Sequence, residues 1–74
     1  MDITVKLFAT LRQGRFKEEH QQHDEGTKVK DIVEKLSIPQ QELGIIFING
    51  KHAKLEDILH DSDALAIFPP VGGG

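Results

Sequence analysis

Cysteine is missing from this 74-residue chain, as are tryptophan and tyrosine. Without thiols there is no disulfide framework, no thiolate metal site and no cysteine nucleophile within the chain. The lack of disulfides is compatible with a cytoplasmic location. Positive charge is not in excess either: nine Lys and Arg stand against twelve Asp and Glu, a formal net charge of −3. That balance opposes nonspecific phosphate binding and makes nucleic acid a poor candidate partner. No apolar run approaches the ~20 residues of a membrane-spanning helix, and the opening residues lack the basic and apolar regions of a signal peptide. The expectation is a cytoplasmic protein with no membrane partner.

What is present is enough for one small domain. Apolar residues together with glycine make up just under half of the chain, the proportion of ordinary globular domains. Its length lies near the lower limit at which one hydrophobic core suffices without staples. Ile3, Val5 and Leu7 alternate with Thr4, Lys6 and Phe8, the period-2 pattern of a strand buried on one face. Leu65 and Ile67, alternating with Ala64, Ala66 and Phe68, predict a second such strand. In both, a phenylalanine falls on the lesser face.

Phe16 to His23 reads as a return strand. It carries His20 and His23, but two imidazoles three apart on a strand point to opposite faces, so no metal site is expected. Thr27 can cap a helix whose stripe is Val29, Ile32, Val33 and Leu36. Pro39 begins a short helical turn. Ile45 to Ile48 forms a central strand, Asn49-Gly50 a hairpin turn because both residues tolerate positive φ, and Lys51 to Lys54 the return. Leu55, Ile58 and Leu59 are expected to pack beneath a short helical segment, and Asp61-Ser62-Asp63 turns into the last strand. The order β, β, α, β, β, short helix, β places the chain in the α+β class, with a mixed sheet of about five strands on one main helix.

The last seven residues are Phe68-Pro69-Pro70-Val71-Gly72-Gly73-Gly74. Pro70 biases Pro69 toward extended backbone, and the glycines then remove every Cβ. A stiff neck thus carries a thin tip, and the tail from Pro69 could reach about 20 Å from a body spanning 1–68. Such a tail, residues 69–74, could thread another protein's active-site channel and present the Gly74 carboxylate there.

Ala66-Ile67-Phe68-Pro69-Pro70-Val71-Gly72-Gly73-Gly74, after Leu59-x-Asp61-Ser62-Asp63, resembles the C-terminal signature of the MoaD/ThiS family of ubiquitin-like sulfur carriers, nearest to MoaD-type small subunits of molybdopterin synthase. Val5-Lys6-Leu7-Phe8-Ala9-Thr10-Leu11-Arg12 resembles the family's first strand, and Ile46-Phe47-Ile48-Asn49-Gly50 its central hairpin. The family commonly has Gly where Ser62 stands, which leaves the conformation of that turn open.

The resemblance implies a ubiquitin-like β-grasp with its first and last strands parallel, so that Phe8 and Phe68 could form one patch at the root of the tail. It also implies a mechanism. Gly74 would be adenylated by a ubiquitin-activating-like enzyme that uses ATP, and a sulfur donor would displace AMP. The thiocarboxylate would then enter the large subunit of molybdopterin synthase and deliver sulfur to a pterin precursor in molybdenum or tungsten cofactor biosynthesis. Phe8, Phe68, Pro69, Pro70, Val71, Gly72 and Gly73 would contact the partners. The carrier itself would bind no cofactor and supply no catalytic side chain. The alternatives are a ThiS-like or other sulfur carrier or protein modifier, and a noncovalent ubiquitin-like interaction module, since fold alone does not assign function.

Overall fold

A computed structural model describes residues 1–71; Gly72, Gly73 and Gly74 lie outside the described residues. Strand β1, Asp2–Leu7, buries Ile3, Val5 and Leu7 completely and leaves Thr4 and Lys6 on the opposite face. A 3-10 turn at Ala9–Arg12 inserts Leu11 into the core. The chain returns as β2, Glu18–Gln22, antiparallel to β1. Helix α1, Val29–Lys35, lays Val29, Ile32 and Val33 on the sheet, with Leu36 half-buried just beyond its end. After a 3-10 turn at Gln40–Glu42 come β3, Ile46–Ile48, β4, Lys51–His52, and β5, Asp63–Ile67.

The sheet order is β2-β1-β5-β3-β4, with β1 and β5 parallel at its centre and the other pairs antiparallel. This is the mixed five-stranded β-grasp over one helix. Ile38, Ile46, Leu59, Leu65 and Ile67 complete the core. Among the described residues, no helix is long and apolar enough to cross a membrane.

Two local expectations are corrected. Residues 55–59 form no helix: Ile58 makes an isolated bridge with Lys28 and is half exposed, while Leu59 is buried. The segment instead serves α1. Its Asp57 and Leu55 carbonyls accept from the Val29 and Lys30 amides at 3.0 and 2.9 Å, satisfying donors that the first turn of a helix leaves free. The helix therefore does not begin with a Thr27 cap. The Thr27 hydroxyl donates to the Asp24 carbonyl, and Asp31 accepts from the Lys28 amide at 2.8 Å.

The β3–β4 turn has both residues left-handed, Asn49 at φ 52° and Gly50 at φ 80°. Asn49 also ties this hairpin to the start of β5. Its side chain donates to Asp63 at 2.8 Å and accepts from the Ala64 amide at 2.9 Å. Asp63, itself buried, takes the His60 amide on its other oxygen. Ser62 sits at φ 70°, so the turn keeps a glycine-like backbone with a serine in it.

Candidate functional site

The parallel β1–β5 pairing decides where the two off-pattern phenylalanines go. Leu7 is level with Ile67, and Phe8 continues β1 with extended backbone at φ −126°, ψ 150°. The two rings therefore leave the sheet side by side on the face away from α1. They stack with centroids 4.1 Å apart and planes 8° from parallel. Their environment is intermediate: each ring is half-buried, largely by its neighbours, so neither is a core residue nor a fully exposed one.

A third ring belongs to this face. Phe47 on β3 lies in register with Ala66 and His52, and it meets Phe68 edge-on at 5.8 Å and 88°. His52 in turn stands edge-on to Phe47 at 5.1 Å. On the other flank, the Arg12 guanidinium lies 5.3 Å from the Phe8 centroid, held there by an Nε–H bond of 2.7 Å to the Leu7 carbonyl. Lys6 and Ala66 share the cross-strand row of Phe47, with Glu18 opposite Lys6 on β2. Alanine at 64 and 66 keeps the floor beside the rings low, and all three rings remain partly exposed. Each aromatic pair contributes about 0.5–1.5 kcal/mol beyond area burial.

Phe8 and Phe68 stand out in the sequence as off-pattern rings, whereas Phe47 and Arg12 do not. Phe47 was hidden inside an apolar run without alternation. Its outward side follows once the Asn49-Gly50 turn and a buried Ile46 fix the parity of β3. Arg12 carries no sequence signal beyond its place after Phe8.

The same face leads into the tail. Pro69 is half-buried, whereas Pro70 and Val71 are exposed, Val71 at 84%. Gly74, with Gly72 and Gly73, falls outside the described residues. Farther along the same outer face, His20 Nδ1 lies 3.1 Å from the Thr4 hydroxyl of its cross-strand partner, while His23, beyond the end of β2, pairs with Gln21 at 2.7 Å. Burial, then Lys35 and the N-terminal ammonium, hold the His23 pKa below its ordinary value, with Asp24 opposing. Among the described residues, no group of three or more His, Cys, Asp or Glu side chains is placed to hold a metal.

Comparison with known proteins agrees with this geometry. The ThiS family model matches residues 5–74. A search of curated proteins finds no match. Among solved structures, molybdopterin converting factor subunit 1 from Pyrococcus furiosus is 27% identical, with 96% of this chain and 99% of that one covered and a TM-score of 0.78. SAMP1 from Haloferax volcanii is 27% identical over the whole of both chains, with a TM-score of 0.77. A complex of subunits 1 and 2 of molybdopterin-converting factor from Helicobacter pylori shares the fold at 19% identity, with 100% of both chains covered and a TM-score of 0.67.

Proposed function

The chain belongs to the ThiS family of ubiquitin-like sulfur carriers and modifiers, and from that premise we propose that Gly74 carries sulfur as a thiocarboxylate for molybdopterin synthesis. A carboxylate at neutral pH is a poor electrophile, so a partner enzyme first joins it to AMP, consuming ATP and releasing pyrophosphate. Sulfide supplied by a sulfur donor attacks the acyl carbon and expels AMP, which leaves the thiocarboxylate with no change of oxidation state. The thiocarboxylate sulfur then attacks an electrophilic carbon of the pterin precursor and displaces an oxygen leaving group from it, and water cleaves the acyl–sulfur bond, restoring the carboxylate and leaving the sulfur on the pterin as a thiolate. Every step occurs on the main-chain end; this chain's side chains dock, aim and leave the chemistry to the partners.

The observation that carries this reading is the aromatic face at the root of the tail. Phe8, Phe47 and Phe68 offer a partly exposed apolar surface of the kind that anchors protein interfaces. Phe68 is joined directly to Pro69-Pro70-Val71, so whatever covers the rings stands where the tail departs. A narrow tip of Gly72 and Gly73 would pass a channel in which even one methyl group meets the wall. The likeness to a molybdopterin converting factor subunit 1 over nearly all of both chains supports the pterin pathway. The Helicobacter pylori pair supports, by analogy of fold, a large synthase subunit as partner.

The full-length likeness to SAMP1 favours a second reading, in which an amine on another protein attacks the activated glycine. Intact mass spectrometry after incubation with the cognate adenylating enzyme, ATP and a sulfur source separates the two from an inert module. The carrier reading requires the mass gained when sulfur replaces oxygen, lost on deletion of Gly74. An unmodified chain under those conditions defeats it, and conjugates in place of that product favour the modifier reading.

A further inference from the structure

The β3–β5 pairing continues past the last residues of both strands. Beyond the Ile46–Ile67 pair, the Phe68 amide donates to the Ile45 carbonyl at 2.9 Å, and the Phe68 carbonyl accepts from the Gly44 amide at 2.8 Å. Two residues on one side thus answer one on the other, the bonding count of a β-bulge, which bends its strand and re-aims what lies alongside. Gly44 then abuts the tail itself. A Cβ built on it would overlap the Pro69 carbonyl group and stand 2.8 Å from the Pro70 nitrogen. These are main-chain atoms next to rings that fix φ, so no side-chain rotation relieves the overlap.

The other glycines among the described residues differ in kind. Gly14, Gly26 and Gly50 have positive φ and open space around the missing Cβ. Gly44 has neither: its backbone is not left-handed, and the space is filled by the tail. Glycine is required there for close approach alone.

We propose that Gly44 is a positioning residue for the C-terminal tail. The bulge at Gly44 and Ile45 fixes where, and in which direction, residues 69–71 leave the sheet relative to the Phe8–Phe47–Phe68 face. A partner that covers the rings thereby receives the chain end at a set place. This role rests on the carrier reading of Gly74. It divides labour between two features: the rings set how tightly a partner binds, and the clamp sets how often the bound carboxylate reaches the reacting position. Misplacement by about 1 Å at a distance from the chemistry can cost a hundredfold in rate.

The test is steady-state adenylate formation by the cognate activating enzyme, with the full-length wild type, Gly44→Ala and Pro69→Gly, alongside hydrogen exchange at the residue-44 amide. In the wild type that amide should be protected; in Gly44→Ala it should exchange freely while the remaining strand amides stay protected. The expected kinetic result is a KM within about threefold of wild type and a kcat lowered about tenfold or more. Pro69→Gly adds no bulk and leaves Gly44 in place. It should fold normally and lose kcat in the same sense, and it decides the matter alone if Gly44→Ala does not fold. Wild-type kcat in either folded variant overturns the positioning role. So does a loss in Gly44→Ala that tracks its melting temperature while Pro69→Gly remains fully active. A wild type that forms no adenylate overturns the carrier reading and the positioning role together, whereas a charged wild type beside an equally active Gly44→Ala overturns only the latter.

Discussion

Phe8 and Phe68, from opposite ends of the chain, lie face to face at 4.1 Å because the strands that precede them run parallel in register. Their half-buried state gives each ring two roles. Phe68→Lys should cost about 1–2 kcal/mol of stability, from a half-lost aromatic burial and a lost stack. If the chain acts as the proposed carrier, the substitution should weaken the complex with a cognate activating enzyme by more, ~2 kcal/mol or above, as expected of a central aromatic anchor. Chemical denaturation and calorimetric titration measure the two separately. A stability loss larger than the binding loss would make the rings a second core.

Asn49 holds a left-handed turn position and bridges to Asp63 and Ala64. Asn49→Ala should destabilise by about 2–3 kcal/mol, combining strain at φ 52° with bonds left unmade around a buried carboxylate. Asn49→Gly should recover the backbone share, about 1 kcal/mol, and leave the rest lost. Equal losses in the two variants would show that the side-chain bridge carries the whole effect.

Ser62 stands at φ 70°, with its amide donating to the Asp2 carbonyl at 2.8 Å. Ser62→Gly should raise stability by about 0.5–1 kcal/mol: relief of left-handed strain exceeds the added freedom of the unfolded chain. Thermal melting checks this, and a lower melting temperature would mean that the Ser62 side chain contributes more than the strain removes.

His23 favours its neutral form in the folded protein, mainly through burial. Its folded pKa lies below the unfolded value of about 6.5, so at lower pH the unfolded state binds the proton more readily. The contribution is present above the unfolded pKa and is lost as pH falls from there through the folded value. His23→Gln should therefore flatten part of the decline in melting temperature between about pH 7.5 and 5.5. Superimposable pH profiles for the two proteins would remove His23 as a cause.

Local patterns in the chain already contained most of the architecture. Alternation at Ile3, Val5 and Leu7, the Val29–Ile32–Val33 stripe and the Asn49-Gly50 turn each encode an element through neighbours a few residues away. Residues 55–59 misled because short apolar spacing resembles a helix. What they do is lend carbonyls to the start of α1, a contact made across about a third of the chain. Ser62 shows the same limit in reverse: its residue type says little, and the closure of the last turn imposes the left-handed backbone.

The amino-acid order alone determined the tail, the two off-pattern phenylalanines and the core stripes, because those depend on chirality, periodicity and the chemistry of proline and glycine. Only the folded chain decided that Phe47 joins Phe8 and Phe68, that Arg12 flanks them, and that Gly44 admits Pro69. Those are relations between segments far apart in sequence. They come into being when strand register sets which side chains share a face and how near two backbones approach.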